Sequence, residues 1–215
     1  MKSIKYIVAL IALVGCTTLS ASAQDIDDKG GKKKIRMEMG IGLDAVYTGI
    51  HNVSSSDIKL SPRIGFGGHF DMGVVFGRNF AIETEVAYQR GSLIAASSSL
   101  GNEYKVKTTT IDIPVLLSLR VAGQRLRFIA GPVFTVMSKA QYSADDQKYE
   151  FGPVSPTWNV AGGIAVCMGG HFQLEARYVH ALKATLNQIG CKEGEPGEEF
   201  NTNVYRLTVG FSVLF

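Results

Sequence analysis

Charge, cysteine and long apolar runs are all scarce in this sequence. Only 19% of its 215 residues are charged, and 22 Lys and Arg against 19 acids leave a formal net charge of +3. Such a balance offers no electrostatic footprint for nucleic acid, which is not expected as a partner. The cysteines are three, Cys16, Cys167 and Cys191, at no zinc-ligand spacing, so neither a metal site nor a cofactor is expected. The N-terminal apolar run, Tyr6 to Gly15, is ten residues long, whereas a transmembrane helix needs roughly 20. No later run is longer, which excludes a helical membrane protein. Helical periodicity is also missing beyond Ile35. What is abundant is apolar surface, 46% of residues, together with 24 glycines, 8 tyrosines and 11 phenylalanines. That content rules out a disordered chain and suits a twisted β architecture.

The first residues carry an export pattern. Lys2 and Lys5 precede the apolar run, and Ala21-Ser22-Ala23 forms a small-x-small cleavage site before Gln24. Residues 1–23 are therefore expected to be a signal peptide cut after Ala23, its removal lowering the net charge from +3 to +1. Leu13-Val14-Gly15-Cys16 also matches a lipobox, which would place a lipid on Cys16, but the Ala21 to Gln24 site is better punctuated. Residues 24–35, with three aspartates followed by lysines, read as a polar periplasmic tether. Of the two cysteines left, each is expected at an opposite end of the molecule and hence as a free thiol, since a disulfide needs Cα atoms within about 7 Å.

From residue 36 onward apolar and polar residues alternate in eight segments: 36–50, 58–76, 80–90, 105–120, 125–137, 156–168, 171–182 and 203–215. The first sets Met37, Met39, Ile41, Leu43, Ala45 and Tyr47 against Glu38, Gly40, Gly42 and Asp44; the last places Tyr205, Leu207, Val209, Phe211, Val213 and Phe215 on one face. A soluble sandwich would also alternate. Three further features decide against it. Short links at 77–79, 122–124 and 169–170 alternate with long polar ones at 51–57, 91–103, 138–155 and 183–202, as in barrels with short periplasmic turns and long external loops. Most segments reach 11 residues, about what a tilted strand needs to cross hydrocarbon. Finally, Tyr47, Tyr88, Tyr104, Trp158, Tyr178 and Tyr205 gather at the long-loop end, and Phe76, Phe80, Phe128, Phe172 and Phe215 at the short-turn end, giving two aromatic girdles. The fold expected for 36–215 is an all-β, eight-stranded antiparallel up-and-down transmembrane β-barrel in the bacterial outer membrane, closed by the last strand against the first.

Ile111-Asp112-Ile113-Pro114-Val115-Leu116-Leu117, Ala130-Gly131-Pro132-Val133-Phe134 and Glu175-Ala176-Arg177-Tyr178 stand at matching places in the strand order of a known family. In them the chain resembles the PorT-like outer-membrane β-barrel proteins. The resemblance implies assembly in the outer membrane and a link to protein secretion, the process with which PorT is associated. Its last strand, Tyr205, Leu207, Val209, Phe211, Val213 and Phe215, also resembles the signal read by the barrel-assembly machinery.

Candidate chemistry is thin. Period 2 turns Glu38, Asp44, Arg63, His69, Asp71, Glu83, Glu85, Asp112, Arg127, Glu175, Arg177 and Arg206 to the lumen. His69 and Asp71 could form a catalytic pair, but no Gly-x-Ser-x-Gly supports it, and eight strands leave room inside for side chains and little else. A lumen filled with salt bridges is the expected state, with no catalytic residues. Pro114 calls for a bulge in the fourth strand. His51 and His180 fall near one rim, and Glu193, Glu195, Glu198 and Glu199 make an acidic loop. The expected role is that of a structural or interaction barrel, partnered by outer-membrane lipid, the assembly machinery and other envelope proteins. An outer-membrane enzyme acting on lipid or peptide comes second, and a narrow pore third.

Overall fold

The computed structural model describes residues 35–53, 57–97, 101–144, 147–169, 171–190 and 197–215, with the side chains of 51–53 excepted. The signal segment, nearly all of the tether, Cys16, Cys191, Glu193 and Glu195 lie outside the described residues.

Alternation becomes strand wherever it was strict. The elements are β1 (Ile35–Val53), β2 (Ile58–Pro62), β3 (Ile64–Phe76), β4 (Phe80–Ser97), β5 (Asn102–Val121), β6 (Leu126–Ala144), β7 (Gln147–Glu150), β8 (Trp158–Met168), β9 (Phe172–Ala181), β10 (Thr185–Ile189) and β11 (Glu198–Leu214). Eight of them pair antiparallel in the cyclic order β1-β3-β4-β5-β6-β8-β9-β11, and β11 returns to β1. The seam runs from Gly40 opposite Leu214 to Val53 opposite Thr202, with a register shift between Ile50 and Asn52, and Phe215 exchanges backbone hydrogen bonds of 2.9 and 3.1 Å with Met39. Closure leaves no unpaired edge in the hydrocarbon. Short turns follow β3, β5 and β8; Gly77, Gly123 and Gly169 stand in them in the left-handed region at φ 67°, 68° and 62°. By the usual rule this end is periplasmic. β2, β7 and β10 prolong the wall beyond the opposite end by pairing with β4, β6 and β11.

Several expectations are corrected here. Much of 91–103, 138–155 and 183–202 is strand rather than loop: β4, β5 and β6 are 18, 20 and 19 residues long, about twice what crossing the hydrocarbon takes. In these extensions the polarity of the two faces inverts. Lys105 and Lys107 point out while Val106 is buried, and Leu93, Ala95, Ala140, Tyr142, Phe151 and Phe200 form an apolar cluster inside. Water surrounds this part of the wall, so apolar side chains gain by facing inward. Tyr104 packs against that cluster, edge-on to Tyr142 at 5.1 Å, and leaves the girdle. Tyr47, Tyr178 and Tyr205 do form a rim, with ring centroids 6.4 and 5.8 Å from that of Tyr205. The bulge expected at Pro114 belongs instead to β6: Ile111 faces Met137 but Asp112 faces Thr135, leaving Val136 extra. Pro114 lies where pairing with β4 lapses at 113–114, so its missing N–H interrupts no ladder bond there.

Candidate functional site

The lumen is filled in three layers. At the periplasmic end Glu38 of β1 and Glu83 of β4 meet two arginines from the β5–β6 turn region. Arg120 donates from both Nη atoms to the two Glu38 carboxylate oxygens at 2.8 Å and from Nη2 to Glu83 Oε1 at 2.7 Å. Arg127 reaches the same carboxylates at 3.2 and 3.4 Å, and Arg36 donates to Glu38 at 2.7 Å. The Arg120 side chain has no exposure at all. Such a charge is tolerable only when its partners are fixed, and the bidentate fork supplies that geometry.

In the middle layer Arg177 of β9 bridges Glu85 of β4 at 2.6 Å and its own neighbour Glu175. Beside them His69 of β3 places Nδ1 2.9 Å from Asp44 Oδ2 and Nε2 2.8 Å from Ser212 Oγ, with Asp71 Oδ2 3.4 Å from Nε2. The imidazole fits because Gly42 and Gly210 have no side chains: a Cβ on Gly42 would lie 2.2 Å from His69 Nε2, and one on Gly210 2.6 Å from Asp44 Oδ1. Toward the outside, Arg206 of β11 donates to Asp112 at 2.5 Å and to Gln89 and Thr110 at 3.2 Å. Thr135 donates to the other Asp112 oxygen at 2.6 Å. Above this third layer the apolar cluster caps the lumen.

Eleven of the twelve residues assigned to the lumen from period 2 are thus brought inside the barrel. Arg63 is the exception. Phe66 pairs with Arg90 below it and Pro62 with Leu93 above it, a one-residue slip that makes Arg63 a bulge residue. Its side chain is exposed on the outer wall. Sequence reasoning missed Arg120 and Arg36; period 2 turned Ser212 to the lumen but did not reveal His69 as its partner. Arg120 shares the parity of Asp112 and Ser118, which is the signal that finds it; its place beside a turn hid it. Cys167 is a half-buried free thiol.

Asp44, His69 and Ser212 stand in the hydrogen-bond order of a hydrolytic triad. A triad also needs space for a reacting atom next to the serine. Ser212 is 2% exposed, and two cavities within the lumen, of about 30 and 10 Å³, are lined by other residues among those described. The larger has room for about a water molecule, not a substrate. Ligand atoms of Asp44, His69 and Glu85 lie within 4.8 Å of one another, a donor set for a cation, but both imidazole nitrogens are already engaged. At the rim His180 stacks on Tyr178 at 6.1 Å, while the His51 side chain lies outside the described residues. Glu198 and Glu199 of the expected acidic loop belong to β11.

Residues 22–187 match the family model described as an outer membrane protein beta-barrel domain. No curated protein matches the chain. Among solved structures, outer membrane protein OprG of Pseudomonas aeruginosa aligns with a TM-score of 0.51 at 10% identity, over 83% of this chain and 95% of that one. Neisserial surface protein A aligns at 0.49 and 15% identity, over 82% and 96%. Ail, the attachment invasion locus protein of Yersinia pestis, aligns at 0.49 and 10%, over 83% and 97%. At 10% identity the likeness to OprG is one of fold.

Proposed function

This chain belongs to the outer membrane protein β-barrel domain family and lies in the bacterial outer membrane, and we propose that it serves there as a closed barrel with a structural or protein-interaction role. One observation carries the reading: three layers of paired side chains and an apolar cap fill the lumen from the periplasmic turns to the external extensions. An enzyme needs a substrate-sized space beside its reactive groups, and a pore needs a continuous polar path. The lumen offers cavities of about 30 and 10 Å³. What remains available to partners is the outside: the rim of the prolonged strands and the 24–35 tether, which this reading places in the periplasm after cleavage before Gln24. The motifs at 111–117, 130–134 and 175–178 favour the PorT-like subgroup, and through it a role in protein secretion. On the same reading the outward row Tyr205 to Phe215 is what the barrel-assembly machinery recognises.

Two measurements test this. Purified barrel in planar bilayers should show no stepwise conductance, and steady channels would overturn the closed-barrel reading. Affinity capture from envelope membranes should bring down other envelope proteins, with secretion components among them; recovery of the barrel alone would remove the interaction role.

A further inference from the structure

The outward face of one wall changes character within a single residue row at its external end. Tyr88, on the aromatic rim, is followed outward on β4 by Arg90, which pairs across the sheet with Thr109, itself paired with Lys139. One row higher Ser92 faces Lys107, and its carbonyl accepts the backbone N–H of Arg63 at 3.1 Å. Lys105 follows in the next row, opposite Ile94. All five cationic side chains are exposed, and none joins an ion pair among the described residues. Rows two residues apart are roughly 7 Å apart and neighbouring strands roughly 5 Å apart, so the five share a patch about 15 Å across. At the same height the wall of β9 and β10 presents Leu182 and Leu186 instead.

Height selects the partner. Aromatic rims lie at the membrane interface, and the charged headgroup layer begins directly outside them. Arg90 is held at that level: its Nε donates to the Tyr88 hydroxyl at 2.5 Å and its guanidinium lies 5.3 Å from the ring centroid. Lysine stems can lie along the wall and carry their ammonium groups to the same plane. A soluble acidic partner would meet the strand tips first, where Glu103 and Glu150 interrupt the positive field. We infer that Arg63, Arg90, Lys105, Lys107 and Lys139 form a docking surface for the phosphorylated headgroups of outer-leaflet lipid. This rests on the outer-membrane placement and not on the state of the lumen.

The test uses the folded barrel in zwitterionic micelles, titrated with a fluorescent, doubly phosphorylated glucosamine-disaccharide lipid and with its dephosphorylated counterpart. The phosphorylated lipid should bind about ten-fold more tightly or better, as expected for several basic residues at a charged surface, and added salt should narrow the gap. Triple reversal (Arg63→Glu, Lys107→Glu, Lys139→Glu) should close the gap, while Lys183→Glu on the other wall should preserve it. Should the triple reversal not fold, the corresponding three Gln substitutions serve the same end, and a gap undiminished in them defeats the inference. Equal binding of the two lipids overturns it as well. So does a soluble phosphorylated disaccharide without acyl chains that competes as well as the lipid, since that would make the ligand a free glycan.

Discussion

Arg120 and Arg63 show how differently one side chain can count on two sides of a wall. Arg120 is wholly buried and joins Glu38 to Glu83, so Arg120→Ala takes a fixed partner from two carboxylates at once and leaves them the longer contacts of Arg127 and, for Glu38, that of Arg36. Breaking a buried pair in this way costs about 3–5 kcal/mol. Urea or heat unfolding of the variant in micelles should show a loss of that order. Arg63→Ala, on the exposed bulge, should stay within about 0.5 kcal/mol of the parent. Equal losses would mean that the lumen layer is not what stabilises the barrel. Period 2 alone sent Arg63 inward, because a one-residue bulge leaves no mark on the alternation. Arg120, by contrast, was missed beside its turn although it shares the inward parity of Asp112 and Ser118.

Among the elements, β11 bears both on closure and on lipid. Its outward row includes Phe211, stacked on Phe172 at 5.8 Å, while inward Ser212 bonds His69. Phe211→Asp forfeits about 1.5–3 kcal/mol of apolar burial and adds a charge facing hydrocarbon. Folded barrel in outer-membrane fractions should fall markedly. Ser212→Ala loses one hydrogen bond, about 1 kcal/mol, and should assemble at near-normal yield. A matching loss from both changes would show the register of β11 to be shifted by one residue. The facing of β1, β9 and β11 was legible because water is excluded from one side and the lumen is polar on the other. In the outer halves of β4, β5 and β6 that contrast reverses, and stretches such as Gly91 to Ser97 and Ser138 to Ala144 read as loop when judged by the rule for a membrane wall.

For the molecule as a whole, closure without a free edge implies resistance to detergent. The unboiled protein should migrate on a denaturing gel apart from the boiled one, and identical mobility would argue against a closed ring of strands. The number of transmembrane strands, their facing, the short periplasmic turns and the expectation of a closed barrel all followed from the sequence, since bilayer thickness and backbone satisfaction leave few alternatives to a chain with this alternation. Tertiary structure alone decided which charges meet. Arg206 finds Asp112 across 94 residues, and His69 finds Ser212 across 143. Those meetings depend on the stagger between strands, and a single bulge, such as those at Arg63 and Val136, resets it without changing the pattern of residue types.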